Sequence, residues 1–134
     1  MLAQRFLAVP MLLMLLVATV SLPRSAAAGI YGDQVRIFIS SANVGLTYVK
    51  VSGLNQNDRS SSWEARPGGA KETKTINWWW KYSVSIDFTL SNGVKGFCFM
   101  TLGNLPFTNT ESIGVDSNAN RVSGGGPGSR CVKV

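Results

Sequence analysis

The chain reads as an all-β protein, a small antiparallel β-sandwich or flattened barrel closed by one disulfide and preceded by a cleaved signal peptide. Three observations predict the fold class. From Ile76 to Leu90 every even position is apolar, and every odd position except Trp79 is polar. This period of two suits a strand with one buried face and no helix. Ser91-Asn92-Gly93-Val94 then places an Asn-Gly turn between two β patterns. Elsewhere the chain shows no heptad, internal repeat or amphipathic helical stretch, only short apolar runs separated by Gly, Asn and Ser.

Residues 1–28 have the form of a leader. Arg5 supplies a positive start, Leu7 to Val20 is almost wholly apolar, and Ala26-Ala27-Ala28 offers a small-residue cleavage site before Gly29. The apolar run falls short of the roughly 20 residues that a spanning helix needs. The expectation is one secreted β domain, residues 29–134, exported to an extracellular or periplasmic space, with no transmembrane segment in the mature chain.

In order after Gly29, Gln34 to Ser40 alternates with Val35, Ile37 and Ile39 on one face. Leu46 to Ser52 is a second strand, β-branched and aromatic, and the two are expected to pair antiparallel. Asn55 to Ser62 reads as a polar loop, with Trp63 alone after it and Pro67-Gly68-Gly69 as a tight turn. The run Ile76–Leu90 would extend about 50 Å if straight, so a bend or bulge is expected near Lys81 to Ser83. With Asn92 and Gly93 as a two-residue loop, Phe88 faces Phe97, Ile86 faces Phe99 and Asp87 faces Cys98. That register puts Phe97 and Phe99 on the core face.

Ser112 to Val115 is a weak strand, Asp116 to Arg130 a loop that includes Ser123-Gly124-Gly125-Gly126-Pro127-Gly128-Ser129, and Arg130 to Val134 a last short strand. Cys98 and Cys131 are the two cysteines of the chain. In an exported protein such a pair is most economically a disulfide, stabilising by about 3–4 kcal/mol. The bond is expected to tether the C-terminal segment over the back of the hairpin.

Several functions are disfavoured. With no histidine there is no Ser-His-Asp or Cys-His machinery and no ordinary zinc site. Glu64, Glu72, Asp87 and Glu111 could serve a glycosidase, but their spacing places no two together. No catalytic residue, cofactor or metal ligand is assigned, and the protein is read as a non-enzyme. Asp116-Ser117-Asn118-Ala119-Asn120 resembles the start of a calcium loop, yet Arg121 and Pro127 stand where Gly and Glu are needed, so an Asx-rich turn is favoured. Beyond the leader, 11 basic residues stand against 7 acidic ones, a net charge near +4. They do not cluster, which argues against a nucleic-acid partner.

Trp78 and Trp80 belong to the core parity, whereas Trp79 points the other way between Asn77 and Lys81. An indole flanked by hydrogen-bonding groups suits stacking on a sugar ring. The predicted ligand-binding set is Trp79, Asn77, Lys81 and Trp63; the competing reading is that a loop around Trp63 covers Trp79. The expected function is non-catalytic binding, carbohydrate ahead of a lipid surface. The rival is a membrane-active or effector-type protein, supported by the alternating hairpin, the positive charge and the tryptophans. In layout, with Val35-Arg36-Ile37-Phe38-Ile39 early, Pro67-Gly68-Gly69 midway and aromatic hairpins after, the chain resembles aegerolysin-like cytolysins and plant S-protein homologues. That likeness of layout transfers no residue and no activity. A protein-binding module such as an inhibitor would leave no trace in this pattern, and the oligomeric state is not addressed by it.

Overall fold

The computed structural model describes residues 32–103 and 109–134; the expected leader, residues 1–28, and Pro106 lie outside them. The described residues form nine strands and no helix: β1 Gln34–Ile39, β2 Leu46–Asn55, β3 Ser60–Ala65, β4 Glu72–Lys74, β5 Trp80–Leu90, β6 Lys95–Thr101, β7 Thr110–Val115, β8 Arg121–Gly124 and β9 Arg130–Lys133. Two sheets result, a four-stranded one ordered β4-β1-β7-β8 and a five-stranded one ordered β3-β2-β5-β6-β9. The larger sheet is antiparallel throughout, while the smaller is mixed because β1 and β7 run parallel.

The core lies between them. Val35, Ile37 and Ile39 of β1 and Ile113 and Val115 of β7 project from the small sheet. Val49, Val51, Trp80, Ile86, Phe88, Leu90, Cys98 and Met100 project from the large one, and all are buried. β1 and β2 therefore bury their apolar faces across the sandwich, not side by side as expected. The linker Ser40–Gly45 is long enough to cross the roughly 10 Å between packed sheets, and both edges of β1 are taken by β4 and β7.

The anticipated irregularity in the central run is present. Gly53 pairs with Val84 but the next residue, Leu54, pairs with Lys81, so β5 carries extra residues at Tyr82 and Ser83. Tyr82 takes φ +62°, an unusual conformation for a bulky side chain, and the residue is 58% exposed. The strand also starts later than its alternation implies. Ile76 and Asn77 form a turn, with Asn77 at φ +58°, so Ile76 is 68% exposed instead of buried.

The β5–β6 hairpin is offset by one residue from the expected register. Leu90 N–H donates to Val94 O (2.8 Å) and Gly93 N–H to Leu90 O (3.0 Å), which makes Ser91-Asn92-Gly93 a three-residue loop. Gly93 at φ +86° supplies the left-handed residue that such loops require. The pairs are then Phe88 with Gly96, Asp87 with Phe97, Ile86 with Cys98 and Ser85 with Phe99. A slip of one residue exchanges faces, so Gly96, Cys98 and Met100 turn inward, whereas Phe97 and Phe99 stand half-buried on the outer face.

Cys98 and Cys131 are joined, as expected, but the bond does not hold a cover across the sheet. β9 is a lateral neighbour of β6, with Cys98 directly opposite Cys131. Three edge strands, β3, β4 and β8, were not foreseen. β3 falls partly in the segment read as a loop, because an edge strand needs backbone pairing more than apolar alternation, and β2 offers it a ten-residue partner. β8 is exposed at all four positions and pairs with β7. The Asp116 segment is the Asx turn anticipated: Asp116 Oδ1 accepts from Asn118 N–H (2.9 Å) and Asn120 N–H (3.0 Å).

Candidate functional site

The loop Thr75–Trp79 is organised by a buried hydroxyl. Thr75 Oγ1 accepts from Val35 N–H (3.0 Å) and from Trp80 Nε1–H (3.3 Å), and donates to Trp78 O (3.0 Å). Trp80 exchanges two backbone bonds with Asp33, each 2.8 Å, and so clamps the start of β5 to the mouth of β1. Its side chain is fully buried. Trp78 packs at the core margin, its ring 6.2 Å from that of Trp80. The Trp78 Nε1–H is buried without a hydrogen-bond partner among the described residues.

Trp79 is half-buried, neither on the open surface nor in the core. What lies against it is the β2–β3 turn, not a loop around Trp63. Gln56 N–H donates to Trp79 O (3.0 Å), while Asn55 Oδ1 accepts from Asn57 N–H (2.9 Å) and Arg59 N–H (3.1 Å) to hold the turn in shape. Between the two segments is a cleft of about 190 Å3, lined by Asn55, Gln56, Asn57, Asn77, Trp78 and Trp79. Four carboxamide residues and two tryptophans therefore border one concavity, the Asn55 oxygen being engaged by its own turn.

Of the residues expected to bind, Asn77 and Trp79 line this cleft. Lys81 and Trp63 do not. Lys81 is engaged with Asp58 at 2.8 Å, the cation being the less exposed partner. Trp63 sits opposite Val51 and packs on the core margin, because the β2–β3 register turns it inward. Asn55, Gln56 and Asn57 were not identified as site residues; their signal was their polarity, which reads equally as an ordinary loop.

A second, larger cleft of about 490 Å3 opens on the outer face of the large sheet, at the far end of β2. Its walls include Tyr48, Arg66, Asp87, Thr89 and Lys95. The Arg66 guanidinium lies over the Tyr48 ring, 5.3 Å from its centre. Partial desolvation, followed by the charge of Glu64 and a hydrogen bond to it, holds the Tyr48 phenol above its ordinary pKa, with Arg66 opposing. Tyr48 thus stays neutral well past pH 7.

Two carboxylates that the sequence left apart share this face. Glu64 and Asp87 each stand opposite Lys50, one on β3 and one on β5, about 10 Å apart by strand spacing. The cation between them makes the row alternate in sign. Elsewhere Glu72 pairs with Arg36, and Glu111 accepts from Gly103 N–H (2.9 Å). Among the described residues no group of three or more metal-ligating side chains converges, and no helix is long and apolar enough to cross a membrane. Comparison with protein-family models, curated proteins and solved structures finds no match to this chain.

Proposed function

We propose that this is a secreted, non-catalytic carbohydrate-binding protein whose site is the cleft between the Asn55–Asn57 turn and the Asn77–Trp79 segment. The observation that carries the reading is the lining itself. Carboxamides offer both donors and acceptors, which suits the alternating hydroxyls of a sugar. An indole offers the flat apolar surface against which the C–H face of a pyranose ring packs. The cleft has room for one such ring, and no charged side chain lines it, so a neutral sugar is the favoured occupant. The disulfide between Cys98 and Cys131 is consistent with export to an oxidising compartment.

The test is retention on insoluble neutral polysaccharides and titration with oligosaccharides released from whichever is bound. Trp79→Ala should weaken binding by about tenfold or more, as loss of a central aromatic contact does, while lowering stability much less than Trp80→Ala does. Equal binding by Trp79→Ala and the parent protein would remove the site. A second reading, action at a membrane surface, draws on the exposure of Ile76 and Tyr82, which flank Trp79 in sequence. Leakage from dye-filled vesicles, lost on Ile76→Ser and Tyr82→Ser with polysaccharide retention absent, would favour it.

A further inference from the structure

We infer that the outer cleft of the large sheet is a separate subsite for an acidic carbohydrate, a uronate-bearing oligosaccharide. The inference shares its ligand class with the Trp79 reading but not its site. Tyr48 and Asn55 lie seven residues apart on β2, about 23 Å at strand rise, so either can fail alone.

The β2–β5 and β5–β6 registers place Tyr48, Thr89 and Lys95 side by side on three adjacent strands. Tyr48 and Lys95 are therefore about 10 Å apart, wide enough for one or two pyranose rings. Arg66 closes the row beyond Tyr48 and is held there by stacking on its ring. One row along, Lys50, Asp87, Phe97 and Val132 follow in register. Phe97 and Phe99 continue the surface along β6, and Arg130 lies 5.7 Å from the Phe99 ring centre. The result is a cleft with an aromatic wall, running into an aromatic platform bordered by cations.

Two features select the ligand. Arg66 and Lys95 enter neither of the ion pairs formed among the described residues, so their charges are available to an anion. Asp87 lines the same cleft and repels a ligand that presents only acceptors, such as a bare phosphodiester. A uronate satisfies both: its carboxylate meets the guanidinium or ammonium, its hydroxyls donate to Asp87, and its C–H face packs on the aromatic wall. Thr47 and Thr89 add hydroxyls that either donate or accept.

The experiment compares a uronate oligomer with its methyl ester, which keeps the ring and removes the charge. Calorimetry on the secreted protein should show the acid binding about tenfold or more tightly than the ester, with the difference shrinking as salt rises. Backbone amide shifts should concentrate at residues 47–48, 87–89 and 95–96. The double variant R66Q/K95Q, both side chains lying at the surface, should lose the preference for the acid, whereas W79A should keep it. Equal affinity for acid and ester, shifts centred on Asn55–Asn57 and Asn77–Trp79, or an unaltered R66Q/K95Q would overturn the proposal. So would displacement of the oligomer by millimolar inorganic phosphate or by vesicles of anionic phospholipid.

Discussion

Gly96 offers a test of the hairpin register in which the two possible registers predict opposite signs. In the structure Gly96 faces inward from β6, directly opposite Phe88. A Cβ placed on it would lie 2.3 Å from Phe88 Cζ and 2.7 Å from Ala119 Cβ. Carbon atoms settle at about 3.5–4.0 Å, so the added methyl needs more than an ångström of displacement. Phe88 is 2% exposed and Ala119 fully buried, and neither can swing into solvent. Overpacking of this kind costs about 1–3 kcal/mol, offset in part by the 0.5–1 kcal/mol or so that alanine gains over glycine in a strand. Gly96→Ala should therefore destabilise by about 1–2 kcal/mol net.

With an m-value of about 1–3 kcal/mol per molar urea, the unfolding midpoint should fall by roughly 1 M. Phe88→Leu in the same chain should relieve the collision, so the double variant should be less destabilised than the two single effects combined. Under the two-residue-turn register Gly96 would instead face Thr89 and have no Phe88 ring against it, and alanine would be neutral or stabilising. A midpoint for Gly96→Ala at or above that of the parent would refute the observed packing.

Three further outcomes are expected. Replacing both Cys98 and Cys131 by serine should lower stability by about 2–5 kcal/mol, and hydrogen exchange should show β9 losing protection first; an unchanged urea midpoint would contradict this. Trp80→Ala should cost about 3–5 kcal/mol as a buried large-to-small change, and half-buried Trp79→Ala roughly half of that or less; paired urea titrations showing equal losses would reject the ranking. Hydrogen bonds from the backbone of Asn120, and then Asn118, hold the Asp116 carboxyl below its ordinary pKa despite an opposing desolvation effect. A depressed folded pKa gives stability that is present above the unfolded value of about 3.9 and lost as pH falls through the folded one. Asp116→Asn should therefore flatten the acid limb of stability against pH, and an unaltered limb would count against the turn.

What was legible in the chain followed from periodicity, and what was not depended on the third dimension at particular residues. Alternation along Val84 to Leu90 correctly named the buried face, because the strand is regular there. The same alternation still named Trp80 as buried, but it failed at Tyr82 and Ile76, since Tyr82 and Asn77 adopt positive φ and turn those two apolar side chains outward. Asn-Gly announced the hairpin but not whether Ser91 belonged to its loop. That single residue decided whether Phe97 and Phe99 were core or surface, and with it whether the outer face was aromatic.

The binding reading changed for the same reason. Parity isolated Trp79 and its neighbour Asn77, and those two positions do line a cleft. The Asn55–Asn57 wall is contributed by a turn some twenty residues earlier, brought there by the end of the β2–β5 pairing and the Gln56–Trp79 backbone contact. Lys81 was drawn away by Asp58 of that same turn. The turn thus removes a charge and supplies carboxamides, which shifts the chemistry of the cleft toward a neutral ligand. At the other end of the sheet the register leaves Arg66 and Lys95 bordering a shared concavity with Asp87, the arrangement from which an acidic ligand is proposed. One strand, β2, carries both ends, so substitutions at Asn55 and at Tyr48 should affect binding of neutral and acidic sugars separately. Coupled losses from either substitution would mean that the two clefts do not act as independent sites.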